Sequence, residues 1–141
     1  MDLLQDLSPA ALVAAIEANM AEFWKCFGRL PESQLHDEPD ILWFATGAPA
    51  GSLNGVIRSR FGDDDADARI DDTLAHFKRR RLPMQWWVGP SSRPTDLGER
   101  LEAHDLACRP WRPPGMAVDL HRLTENLPAP TGLAVQPVNN E

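Results

Sequence analysis

The chain has two cysteines in 141 residues, Cys26 and Cys108, too few for the disulfide framework that holds many small secreted domains together. Both are therefore expected to be small buried hydrophobic residues. No run approaches the roughly 18 consecutive apolar residues of a membrane span. The opening Met1-Asp2-Leu3-Leu4-Gln5-Asp6 is acidic where a secretory signal is basic. A cytoplasmic protein with no membrane role is the expectation. Positive charge is scarce as well: 14 Lys and Arg stand against 21 Asp and Glu, a net charge of −7, so the general attraction for phosphate that drives nucleic-acid binding is missing. Chemical motifs are also lacking. His36, His76, His104 and His121, with the two cysteines, show neither CxxC nor HExxH spacing, and no metal site is expected. Gly89-Pro90-Ser91-Ser92 is not the GxSxG elbow that presents a serine nucleophile. The sequence thus names no catalytic residue.

What is present is a globular composition: 43% hydrophobic residues, five Trp and five Phe, enough for one core at this length. Ser8 reads as an N-cap and Pro9 as the first residue of a helix whose stripe is Leu12, Ile16, Met20, Phe23 and Phe27, ending at Gly28. Ile41–Ala45 reads as a buried strand, and Val56–Phe61 pairs back on it antiparallel as a hairpin with a wide loop. Asp64 or Asp65 can cap a second helix with Ala66, Ile70, Leu74 and Phe77 as its core stripe. Asp63, Asp64, Asp65 and Asp67 crowd the positive end of its dipole, and Lys78, Arg79, Arg80 and Arg81 the negative end, so that basic run needs no nucleic acid to explain it.

Met84–Val88 reads as another strand, and Ser92-Arg93-Pro94 as the opening of a third helix carrying Leu97 and Leu101, with Asp105 where Gly or Asn usually takes the left-handed cap. Met116–Leu120 alternates like a last strand, after a turn rich in proline. The expected organisation is a mixed α/β (α+β) domain over residues 1–123, a Pro-rich linker over 124–132, and a strand beginning at Leu133-Ala134-Val135-Gln136-Pro137-Val138.

Among candidate functional groups, His36-Asp37-Glu38 could supply a general base, although a solvated loop explains it more simply. Trp86 and Trp87 must point to opposite faces of a strand. Together with Trp43 they form either the core of a sheet covered on both faces or the aromatic wall of a pocket. Trp43, Asn54, Trp86, Trp87 and Arg93 are the candidate pocket or interface residues, and Arg93 with Trp43 or Trp86, where they reach a cleft, could hold an acidic or aromatic molecule.

Several runs resemble the N-terminal half of tandem GNAT N-acetyltransferases: Asn19-Met20-Ala21-Glu22-Phe23-Trp24, Asp40–Gly47 with Asn54-Gly55-Val56, and Trp86–Pro90 continuing into Pro94–His104. The resemblance covers most of the chain. It implies a GNAT-like, mostly antiparallel mixed sheet flanked by helices on both faces. It also implies that 133–141 opens a second, C-terminal GNAT domain, a partner in cis that would transfer the acetyl group of acetyl-CoA to an amine. In such domains an (Arg/Gln)-x-x-Gly-x-(Gly/Ala) loop holds the coenzyme A pyrophosphate at a helix N-terminus. Here Phe61-Gly62-Asp63-Asp64-Asp65-Ala66-Asp67 stands in that place, and its carboxylates would repel a pyrophosphate. The resemblance therefore implies no cofactor in this chain, acetyl-CoA only for a full-length parent, and a supporting, non-catalytic role. The alternative is a free-standing small-molecule-binding or interaction module that uses the tryptophans as a pocket or a homodimer face.

Overall fold

A computed structural model of the chain describes residues 4–109, 113–124, 128, 130–132, 134 and 136. Helix α1 spans Pro9–Gly28, and the Ser8 hydroxyl accepts a hydrogen bond from the Ala11 N–H at 3.3 Å, as an N-cap should. Its inner face is rotated from the expected stripe. Met20, Ala21, Trp24 and Phe27 join the core, while Phe23 is 57% exposed. One residue turns a helix by about 100°, so seating Trp24 against the sheet carries Phe23 outward. The Trp24 ring stacks on Phe44, 5.3 Å between centroids and 19° between planes.

Strands β1 (Gln34–Asp37), β2 (Ile41–Ala45), β3 (Asn54–Ser59) and β4 (Gln85–Trp86) form one mixed sheet in that order. The first three are antiparallel, and β4 runs parallel to β3. The β2–β3 hairpin is as expected, whereas β1 is an addition: His36 and Asp37 are paired strand residues opposite Trp43 and Leu42, not loop. Leu42 pairs with Arg58 but Trp43 with Val56, so Ile57 is an extra residue and β3 carries a bulge.

Neighbouring strand residues enter different clusters, as the pleat dictates. Leu42, Phe44 and Ile57 pack with the inner residues of α1. Ile41, Ala45 and Val56 pack with Ala66, Ile70, Leu74 and Phe77 of α2 (Ala66–Arg79) and with Leu97 and Leu101 of α3 (Leu97–Ala103). The expected core stripe of α2 is thus buried throughout. Asp65 holds its N-cap position with φ −114° and ψ −4°, not the extended conformation that turns a capping carboxylate inward, and its side chain makes no cap bond.

Four other expectations need correction. The strand at 84–88 shrinks to Gln85–Trp86. The third helix starts at Leu97 instead of Pro94, because Arg93 is tied to the sheet: its N–H donates to the Ser59 carbonyl at 3.1 Å and its carbonyl accepts from Phe61 N–H at 3.2 Å. Asp105 does take the left-handed position, with φ +67°. Met116–Leu120 forms no strand; Met116 and Val118 are 85% and 64% exposed, and a short 3₁₀ turn over Leu120–Arg122 follows. Its alternation finds no strand to pair with among the described residues. Cys26 and Cys108 are both exposed rather than buried, Cys26 because Trp24 and Phe27 take the inner face of α1. The strand expected from Leu133 lies largely outside the described residues. No helix among those described is long and apolar enough to cross a membrane.

Gly55 sits where β3 meets β4, and a Cβ there would collide with the Gln85 carbonyl oxygen. Gly55→Ala is expected to destabilise the protein by about 2 kcal/mol in urea unfolding, since the obstacle is backbone and cannot swing away. An unchanged midpoint would contradict this close approach.

Candidate functional site

The sheet opens between β3 and the chain that leaves β4. Trp87 N–H still donates to the Val56 carbonyl at 2.9 Å, and pairing resumes only at Arg93 with Ser59. Between them, residues 88–92 swing away in a loop closed on itself: Ser92 N–H donates to the Gly89 carbonyl and Gly89 N–H to the Ser92 hydroxyl, both at 3.0 Å. Glu17 reaches across from α1, and its Oε1 accepts a hydrogen bond from Ser91 N–H at 3.1 Å. Gly89 permits that approach, because a Cβ there would stand 2.5 Å from the same oxygen. The result is a cleft of about 550 Å³, walled by Ala10, Val13, Ala14 and Ala18 of α1, by Ile57, and by residues 89–93.

Three arginines are among the residues that line this cleft. Arg58 is engaged, donating to Asp37 Oδ1 at 3.0 Å and to the Glu38 carbonyl at 2.6 Å. Arg60 and Arg93 are paired directly across a parallel bridge, which sets both side chains on one side of the sheet. Their partners are neutral oxygens: Arg60 donates to the Ser91 hydroxyl at 3.1 Å, and Arg93 to the Ser92 and Pro90 carbonyls at 2.7 and 3.3 Å. Neither makes an ion pair among the described residues.

Of the five residues singled out in the sequence, only Arg93 lies in this cleft. Asn54, 1% exposed, is a brace for the hairpin loop: its Oδ1 accepts from Thr46 N–H at 3.0 Å, and its Nδ2 donates to the carbonyls of Ala48, Ala50 and Pro83. Trp86 and Trp87 face different clusters, as adjacent strand residues should. Trp86 packs edge-on to Phe61 and donates to the Ser59 hydroxyl at 3.1 Å, and Trp87 lies 6.4 Å from Trp24. Trp43 is held between two histidines, stacked on His36 at 5.0 Å and packed on His76 at 4.3 Å, beside a smaller cleft of about 300 Å³. The five do not form one pocket. Glu17, Arg60 and Ser91 are far apart in sequence and carry no motif that joins them; the Gly89-Pro90 break in an apolar strand is the one sequence signal that the sheet opens here.

Several other charged groups hold elements together. Asp37 bonds Lys25 at 2.7 Å and Arg58 at 3.0 Å, and Lys25 first and Arg58 second hold its carboxyl below the ordinary 3.8, which makes it a poor general base. Asp67 receives Arg100 at 2.6 Å and His104 at 3.2 Å, pinning α3 to α2, and His104 above all lowers its pKa. Arg69 is bound to Asp40 at 2.6 Å. The α2 N-terminus therefore presents the exposed Asp63, Asp64 and Asp65 with the nearby cations already paired. These residues do not fit a coenzyme A pyrophosphate. Among the described residues no group of His, Cys, Asp and Glu is placed to hold a metal. No protein-family model, curated protein or solved structure matches the chain.

His76 yields a pH prediction. Its Nδ1 lies 3.2 Å from Arg80 Nη1. A guanidinium only donates, so Nδ1 accepts and the ring proton sits on Nε2. Burial first, then Arg80, Arg79 and His36, push its pKa below 6.5. The unfolded chain then binds more protons at His76 than the folded one between 6.5 and that lowered value, and stability must fall as pH drops through this window. Urea unfolding against pH is expected to show a shallower acid decline for His76→Gln than for the wild type; identical slopes would contradict the assignment.

Proposed function

We propose that this chain is a GNAT-like domain that supports, without catalysing it, acetyl transfer from acetyl-CoA to an amine by a second, C-terminal GNAT domain of the same cytoplasmic polypeptide, whose acceptor cleft it helps to shape. The observation that carries this reading is the junction of β3 with α2. A strand-to-helix turn of the kind that would receive a pyrophosphate is filled instead by Asp63, Asp64 and Asp65, and Asp67 in the first helical turn is committed to Arg100 and His104. The fold is compatible with the same reading. A hairpin is followed by a helix and a parallel strand, and the two clusters set α1 against one side of the sheet and α2 with α3 against the other. Met116 and Val118, exposed on an alternating segment, suit a surface that a second domain covers.

A free-standing small-molecule-binding module of the same fold is the second reading, and the cleft beside Arg60 and Arg93 favours it. The two readings part at the gene. The first expects an (Arg/Gln)-x-x-Gly-x-(Gly/Ala) loop about seventy to ninety residues beyond Glu141, one further domain's reach, and a stop codon directly after Glu141 would contradict it. Titration of acetyl-CoA into the chain by calorimetry is expected to give no saturable heat up to about 1 mM. Micromolar binding would sink the claim of a lost cofactor site.

A further inference from the structure

We infer that the cleft between α1 and residues 89–93 binds an organic oxyanion with an apolar body, its head between Arg60 and Arg93 and its body along α1. The inference rests on the cleft alone and holds whether the chain is half of an acetyltransferase or a module of its own.

The head group follows from the two arginines. Like charges directly opposite on neighbouring strands repel, and Arg60 and Arg93 are bridge partners. Ion pairs elsewhere in the molecule are plentiful: Lys25, Arg58, Arg69 and Arg100 each meet a carboxylate within 3.0 Å. Among the described residues, Arg60 and Arg93, both exposed, bond only the hydroxyl and carbonyls of Ser91, Ser92 and Pro90, which leave N–H groups on both forks uncommitted. Glu17, the carboxylate of the cleft, accepts from the Ser91 backbone and makes no ion pair with either. An oxyanion shared by the two forks removes the repulsion and gains charge-assisted hydrogen bonds.

The apolar body follows from the walls. Ala10, Ala14 and Ala18 present exposed methyl groups on the α1 wall of the cleft, and Val13 and Ile57 complete an apolar lining. About 550 Å³ is within the range of small-molecule sites. A bare inorganic anion would leave that lining in water, and an uncharged lipid would leave the arginines unrelieved.

The test is titration of the isotope-labelled full chain, followed by backbone amide NMR, with octanoate, octyl phosphate, 1-octanol and inorganic phosphate. Octanoate or octyl phosphate is expected to shift the amides of Ala14, Ser91 and Arg93 saturably, with Kd below about 1 mM. Whichever binds more tightly identifies the head group, and either result supports the site. Octanol and inorganic phosphate are expected to bind at least about tenfold more weakly. Arg93→Gln should weaken the better anion by about tenfold. Ala14→Leu, at a solvent-exposed position of the cleft wall, should do the same by filling the cleft while leaving both guanidinium groups in place, which keeps the test open if Arg93→Gln fails to fold. Absence of saturable shifts with both amphiphilic anions, octanol binding as well as octanoate, or unchanged affinity in Ala14→Leu would overturn the proposal.

Discussion

Strand β3 is hydrogen-bonded along both edges, to β2 antiparallel and to β4 parallel, and every one of its residues except Arg58 is buried. Each neighbouring element takes its position from this strand. Asn54 at its start fixes the hairpin loop and reaches the Pro83 carbonyl, so the entry to β4 is tied to the exit from β2. Gly55 lets the Gln85 backbone come closer than any side chain would allow. Val56 and Ile57 send their side chains into different clusters, one joined by α2 and α3 and the other by α1. The bulge at Ile57 and the hydrogen bond from Trp86 to the Ser59 hydroxyl complete the strand's commitments. Beyond Val56 the parallel partner departs, returning only at Arg93, and the cleft is the space that departure leaves.

Much of this framework was legible in the sequence where one physical signal dominated. The capped helix from Pro9 to Gly28, the β2–β3 hairpin and the buried stripe of α2 each follow from periodicity bounded by Ser, Pro or Gly. The opposite orientations of Trp86 and Trp87 follow from the pleat. Illegible were the features decided by tertiary partners. β1 is held by its pairing with β2, and Gln34-Leu35-His36-Asp37 carries little strand propensity of its own. Pro94 after Arg93 signals a helix start, yet the backbone hydrogen bonds of Arg93 to Ser59 and Phe61 keep it in the sheet. Met116–Leu120 has the right alternation but no strand partner among the described residues. Of the candidate pocket residues, Arg93 lines the cleft, while Trp43, Asn54, Trp86 and Trp87 pack or brace other parts of the fold, their size and polarity being conspicuous in the sequence for that reason.

Charge shows how a whole-chain quantity can conceal a local one. A net charge of −7 argues against long polyanions, and the carboxylates at the head of α2 strengthen that exclusion. The same chain gathers Arg58, Arg60 and Arg93 around one apolar cleft, with Glu17 occupied by a backbone N–H. The end of α2 that a phosphate would be expected to favour carries carboxylates instead, and the opening in the sheet holds Arg60 and Arg93 with no carboxylate partner among the described residues.

The dependence of the structure on β3, and the separateness of the segment that leaves it, are most directly tested by native-state hydrogen exchange. Amides of Phe44, Val56 and Ser59 should exchange only through global unfolding, with the full denaturant dependence, while those of Val88, Gly89, Ser91 and Ser92 should exchange through a smaller opening at lower free energy. Equal protection across both groups would contradict the account, because residues 88–92 would then be part of the same cooperative unit as the strand from which the cleft requires them to part.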